Sequence, residues 1–190
     1  MVVVGIDEVG RGSWAGPLVA GAVILGADID GLKDSKLLTR LQRETLAQQI
    51  RDTALFFSLG WVSPPTIDRL GLGVAVHLAM KRALRPINCK YDKIIIDGNI
   101  NYLPEVHNSF CLIRADNTVP AVSAASIIAK VARDAYMRGQ DRRYPGYGFA
   151  NHVGYGTKEH RQALESKGIC RLHRLCYKPV ADVSRKILSQ

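Results

Sequence analysis

The amino-acid sequence predicts an α/β fold: a mixed β-sheet flanked by helices, followed by a C-terminal helical and loop-rich extension. Short β-branched runs come first and then alternate with stretches of helical periodicity, the pattern of a sheet covered by helices. A length of 190 residues supports one substantial core rather than two. After about residue 140 the aliphatic runs give way to Tyr, His, Arg and Gly. The expectation is therefore one domain spanning 1–190, with its core in 1–140 and its extension in 141–190.

Val2 to Ile6 is a β-branched run that fits a buried strand. Gly10 to Gly16 interrupts it, and Leu18 to Leu25 is a second apolar strand able to pair with the first like a hairpin. Thr39 is placed to cap a helix from Arg40 to about Thr53, where Leu41, Leu46 and Ile50 recur at near-helical spacing. Leu55 to Val62 predicts a third strand, ended by Pro64 and Pro65. Gly73 to Leu84 has the spacing of an amphipathic helix, and Lys93 to Ile96 that of a strand ending at Asp97-Gly98. Phe110 to Ile113 reads as a strand closing at Asp116, and Cys111 within it as core. Val119 to about Arg138 is a long helix rich in Ala and Ile, whose small residues permit close packing.

The formal net charge of +9 favours a polyanionic partner, because lysines and arginines that neutralise phosphates release counterions. The four cysteines (Cys89, Cys111, Cys170, Cys176) contain no CxxC pair, which argues against structural zinc and a disulfide framework. MVVVGIDEVGRG turns acidic too early for a signal peptide, and no apolar run approaches the roughly 20 residues of a membrane span. A reducing cytoplasm and no membrane partner are the expectations.

Three apolar runs end in acid: VVVGI in Asp7-Glu8, KIII in Asp97 and FCLIRA in Asp116. A carboxylate at the end of a buried strand is costly unless it is paired or binds a cation, and one such Asp before Gly is often only a turn residue. Three at strand ends point further, since parallel strands present their carboxyl ends at one edge of a sheet. Carboxylates brought together raise one another's pKa, and hard divalent cations remove that penalty. All-oxygen ligation selects Mg2+ or Mn2+ over zinc, and two such ions roughly 4 Å apart suit phosphodiester hydrolysis. Neighbouring strand residues face opposite sides, so Asp7 and Glu8 can share a site only where the strand ends or bulges.

The stretch Gly10-Arg11-Gly12-Ser13-Trp14-Ala15-Gly16 is not a dinucleotide-binding loop: its glycine spacing is wrong, and an apolar strand rather than a helix follows it. Its glycines instead let another backbone approach closely.

Several blocks together resemble bacterial ribonuclease HII, of the type 2 ribonuclease H family. They are IDEVGRGSWAGPLV from Ile6, DSK from Asp34 to Lys36, IIIDG from Ile94, Asp116 with SAASIIAKVARD from Ser123, YPGYGF, GYGTKEH and HR. The resemblance runs in order from about residue 2 to about residue 180. It implies a ribonuclease H-like fold and an endonuclease that cuts the RNA strand of RNA–DNA hybrids and incises 5′ of single ribonucleotides in duplex DNA. The implied chemistry is two-metal-ion hydrolysis leaving a 3′-hydroxyl and a 5′-phosphate. By position, Asp7, Glu8, Asp97 and Asp116 match the family's catalytic, metal-binding acids. Gly10, Arg11 and Gly12 match the loop that senses the ribose 2′-hydroxyl. Tyr155 matches a tyrosine near the RNA–DNA junction, and Lys36 a lysine close to the scissile phosphate. The sequence departs from the family's usual HRxSFxPV in its tail, His173-Arg174-Leu175-Cys176-Tyr177-Lys178-Pro179-Val180, and Trp14 stands where a smaller apolar residue is usual.

Other candidates carry plainer readings. Asp134 lies four residues after Lys130, the spacing of an ion pair along a helix, with a supporting role near the metals as the alternative. His152, His160 and His173 suit phosphate contact or local packing more than general-acid work. Tyr144, Tyr147 and Tyr155 interleave with Arg142, Arg143 and Lys158 as on a nucleic-acid surface, although Tyr144 and Tyr147 also suit packing around Pro145. Lys81, Arg82 and Arg85 fit a solvated helix face. The expected partners are RNA–DNA hybrids and ribonucleotide-containing DNA, bound by a monomer. Two rivals stand beside this reading. Ribonuclease HIII carries an additional N-terminal binding domain, for which a first strand at residue 2 leaves no room. A non-catalytic hybrid-binding protein would not require all four acids.

Overall fold

The computed structural model describes residues 1–32 and 38–188. Its elements in chain order are β1 (Val3–Val9), β2 (Leu18–Leu25), α1 (Arg40–Thr53), β3 (Ala54–Val62), α2 (Pro64–Leu70), α3 (Leu72–Leu84), β4 (Lys93–Asp97), β5 (Ser109–Leu112), α4 (Ala115–Thr118), α5 (Pro120–Asp141), α6 (Phe149–His152), α7 (Lys158–Lys167) and α8 (Lys178–Leu188). The strands form one sheet in the order β3-β2-β1-β4-β5. β1 runs antiparallel to β2 and parallel to β4, and β4 runs parallel to β5, so the sheet is mixed as expected. Among the described residues no helix is long and apolar enough to cross a membrane.

The chain divides into two compact units. The first contains Met1–Val9, Val19–Trp61 and Val76–Val131, and so holds the sheet. The second contains Gly10–Leu18, Val62–Ala75 and Ala132–Gln190. Helix α5 contributes its first half to one and its second half to the other.

In the first unit, glycines in the strands decide how closely α5 approaches the sheet. A Cβ at Gly5 of β1 would lie 2.1 Å from the carbonyl carbon of Ala121, and one at Gly21 of β2 would lie 2.4 Å from the carbonyl oxygen of Ala125. Only hydrogen fits between strand and helix backbone at these points. Ala124, Ala125, Ile127 and Ile128 of α5 then pack with Val23 and with Leu46, Ala47 and Ile50 of α1. Helix α1 starts where its cap predicts: the Thr39 hydroxyl accepts from the Gln42 amide at 3.3 Å, and the Gln42 side chain accepts from the Thr39 amide at 2.8 Å.

The second unit has an aromatic core. Tyr147 stacks on Phe149 with centroids 5.3 Å apart, among Ala15, Met137, Ala163 and Leu172. Trp14 fits because Gly156 faces it: a Cβ there would fall 2.2 Å from the indole.

Two expectations are corrected. Pro64 and Pro65 do more than stop β3; they open helix α2, where the missing N–H of proline is harmless in the first turn. Cys111 is not core. It is exposed, as are Phe110, Leu112 and Ile113, because β5 is the last strand of the sheet and an apolar run does not say whether its faces are covered.

Candidate active site

β1 does not end or bulge at its acids. It pairs regularly with β2 through Asp7↔Gly21, Glu8↔Ala20 and Val9↔Val19. Asp97 is the last residue of β4, as predicted. Asp116 does not close a strand: β5 stops at Leu112, Arg114 takes a left-handed φ of 57°, and Asp116 falls on the short helix α4. A left-handed arginine carries none of the glycine or asparagine signal by which such a turn is read from sequence.

The fold nevertheless brings Asp7, Asp97 and Asp116 together, each offering one carboxylate oxygen, with all three oxygens within 4.8 Å of one another. Glu8 lies outside this trio, as strand alternation demands, and acts on it through its charge. The trio is held by backbone and hydroxyls. The amide of Ala115 donates to Asp97 Oδ1 at 2.8 Å, and the amide of Glu8 to Asp7 Oδ1 at 2.7 Å. From α5, the Ser126 hydroxyl hydrogen-bonds the Asp7 carboxyl, and the Ser123 hydroxyl donates to the Asp116 carbonyl at 2.5 Å. Ser123 and Ser126 stand i,i+3 on one face of α5, a signal that serines in an Ala-rich helix do not by themselves tie to an acid site.

Burial pushes the Asp7 carboxyl up to about 8, with the charge of Glu8 adding to the shift and that of Asp97 adding less. The Ser126 hydroxyl and the Glu8 amide pull the other way without prevailing. Alone, such a carboxyl holds its proton at neutral pH; a divalent cation beside it would favour the carboxylate. An all-oxygen donor set fits Mg2+ or Mn2+. Among the described residues, no other group of three or more His, Cys, Asp or Glu side chains converges in this way.

The family model described as Ribonuclease HII matches residues 4–180. This chain belongs to the ribonuclease HII family. Its members are metal-dependent endonucleases that cleave RNA in RNA–DNA hybrids. A curated Ribonuclease HII of Shewanella loihica is 44% identical over 182 residues, covering 94% of this chain and 88% of the relative. The ribonuclease H2 of Pyrococcus horikoshii superposes with a TM-score of 0.86 at 26% identity, covering all of both chains. The RNase HII of Archaeoglobus fulgidus, solved as a complex with PCNA, gives a TM-score of 0.80 at 27% identity over 94% of this chain and 96% of that one.

The remaining residues predicted for a ribonuclease HII site fall in the second unit or outside the described residues. Lys36, with the DSK block, lies outside them. Arg11 and Gly12 are exposed and Gly10 is buried. Tyr155 is half-buried, with the Arg133 guanidinium 5.4 Å from its ring centre. Asp134 is buried, and its charge acts on Arg133.

The tail histidines are packing residues. The Cys170 amide donates to His173 Nδ1 at 2.8 Å, so His173 Nε2 carries the proton and donates to His160 Nε2 at 3.1 Å. His160 Nδ1 in turn donates to the Tyr155 carbonyl at 2.9 Å, and the His152 ring stacks on that of His160 at 4.4 Å. Burial drives both His160 and His173 down to about 4, so these rings are neutral at physiological pH.

Proposed function

We propose that this ribonuclease HII both cuts the RNA strand of hybrids and incises 5′ of a single ribonucleotide embedded in duplex DNA, with Asp7, Glu8, Asp97 and Asp116 as its catalytic, metal-holding acids. The observation that carries the reading is the convergence of three carboxylate oxygens within 4.8 Å, with Asp7 pushed up to about 8 by burial and by the charge of Glu8. Two bound Mg2+ or Mn2+ ions would supply Lewis-acid stabilisation of the attacking and leaving oxygens, leaving a 3′-hydroxyl and a 5′-phosphate. The chain's own part is preorganisation. The Ala115 amide and the Ser126 hydroxyl hold the Asp97 and Asp7 carboxyls in place before substrate arrives.

Gly10, Arg11 and Gly12 are assigned to sensing the 2′-hydroxyl. In support, a Cβ at Gly12 would meet nothing within 4 Å, so the space beside this exposed glycine is open to a ligand. Tyr155 is assigned to the RNA–DNA junction and Lys36 to the scissile phosphate, both on the resemblance. Arg142, Arg143 and Lys158 are exposed and extend the basic surface of the tail. We assign all of this to one ribonuclease H-like domain, with residues from about 141 onward adding nucleic-acid contacts.

The test is metal-dependent incision of duplexes carrying one, four or no ribonucleotides. The first two should be cut and the third left intact. Binding without cutting would make the chain a hybrid-binding protein, and full activity in Asp7→Asn would remove that residue from the site.

A further inference from the structure

Arg174 is fully buried, and it hydrogen-bonds the backbone of the Gly10–Gly16 loop and the Tyr177 hydroxyl. Nε donates to the Gly16 carbonyl at 2.9 Å, and Nη1 to the carbonyls of Gly10 at 2.7 Å and Arg11 at 3.1 Å. The Tyr177 hydroxyl donates to the same Arg11 carbonyl and accepts from Arg174 Nη1 at 3.3 Å. Arg133, also fully buried, grips the rest of the loop: Nε donates to the Pro17 carbonyl at 2.9 Å and Nη2 to the Ala15 carbonyl at 3.1 Å. A Cβ at Gly10 would come within 2.3 Å of Arg133 Nε, so the absence of a side chain there is what lets that guanidinium in. Arg174 Nη2 is buried without a protein hydrogen-bond partner, an arrangement that costs stability.

No peptide bond among the described residues is cis. In a planar trans peptide the N–H points opposite to the C=O. With the carbonyls of Gly10 and Arg11 both turned onto buried Arg174, the amides of Arg11 and Gly12 are directed away from it, at two exposed residues. Two backbone donors side by side suit an oxygen acceptor, and a ribose hydroxyl is one.

We propose that Arg174 and Tyr177 are positioning residues that aim the Arg11 and Gly12 amides at the ribose 2′-hydroxyl. This rests on the assignment of Gly10 to Gly12 as the ribose-sensing loop. The planar fork of arginine reaches three carbonyls of one turn at once, which a lysine ammonium cannot do in the same geometry. Tyr177 stands where the family's usual tail pattern has phenylalanine, so this chain grips the Arg11 carbonyl with one hydroxyl more.

The experiment compares Tyr177→Phe, Arg174→Lys and Gly12→Ala with the parent chain. It measures kcat and KM on a duplex with one ribonucleotide, affinity for the all-DNA duplex, and thermal midpoints. Tyr177→Phe should lower kcat about fivefold while KM and all-DNA affinity stay within about twofold, as expected for loss of one hydrogen bond that matters at the transition state. Arg174→Lys should lower kcat further with the same split. If it fails to fold, Tyr177→Phe, which removes a single oxygen atom, still decides the matter. Parent-like kcat in Tyr177→Phe overturns the proposal, and so does a loss that appears in KM and all-DNA affinity instead. Gly12→Ala separates the two layers. If it incises like the parent, the loop does not read the ribose and both readings fall. If it is impaired while Tyr177→Phe is not, the positioning role alone falls.

Discussion

In the sheet-bearing unit three carboxylate oxygens lie within 4.8 Å of one another, whereas in the second unit two guanidiniums are buried against peptide carbonyls. The acids oppose one another, and the mismatch shows in Asp7, which burial and Glu8 push up to about 8. The arginines meet the carbonyls of Gly10, Arg11, Ala15, Gly16 and Pro17, so the chain itself supplies acceptors to both guanidiniums, although Arg174 Nη2 stays unpaired. On the proposed function a divalent cation completes the first cluster, while the second holds a piece of backbone still. The same physics, buried charge, serves chemistry in the first and shape in the second.

The strongest way to break this contrast is to remove an acid. Asp97→Asn should reduce incision at least about a thousandfold, since metal-held charge stabilisation supplies several kcal/mol and each ~1.4 kcal/mol is tenfold; initial rates on a one-ribonucleotide duplex measure it. Removing a guanidinium should instead damage the fold. Arg133→Met leaves the carbonyls of Ala15, Pro17 and Val153 without their donor and should cost about 3 kcal/mol or more in denaturant unfolding.

Asp7→Asn sharpens the comparison because stability and activity should move in opposite directions. The Asp7 pKa is raised from 3.8 to about 8 in the folded chain. The stability contributed by its protonated form is therefore complete below 3.8 and lost as pH rises through about 8. Metal-free Asp7→Asn should melt higher than the parent at pH 8 while losing incision. A divalent cation at a hundred times its Kd should stabilise the parent by about 2.7 kcal/mol and the variant by much less. Equal shifts would mean that the ion binds elsewhere.

The smallest expected effect concerns acid. His160 and His173 are lowered from 6.5 to about 4, so the stability they contribute is present above 6.5 and lost as pH falls toward 4. Thermal midpoints should decline across that window, and less steeply in a His160→Gln variant.

Much of the candidate site was legible in the sequence, though for reasons of unequal strength. Asp97 ends β4 as its apolar run foretold, and the acid in IIIDG could be picked out from the pattern alone. Asp116 follows an apolar run, yet it sits on α4 after a left-handed Arg114 and not at the end of β5, so the strand-end argument does not account for its place. For Glu8 the pattern argued only that it shares a site if the strand breaks; the strand runs on to Val9, and Glu8 influences Asp7 by charge from outside the trio. The exposed face of β5 and the helix begun by Pro64 were not legible, because composition does not reveal what covers a strand or which turn a proline enters.

By itself, then, the sequence determined the alternation of strands and helices, the three acids at the ends of apolar runs, the glycine loop and the family. These follow from residue type and spacing among near neighbours, which set backbone preference and the face each side chain takes. Only the tertiary structure decided that Ser126 reaches Asp7 and that Arg174 holds the carbonyls of a loop more than 160 residues earlier in the chain. Contacts of that kind depend on how closely chain segments approach, backbone to backbone at Gly5 and Gly21 and guanidinium to backbone at Gly10, and no local pattern records that distance.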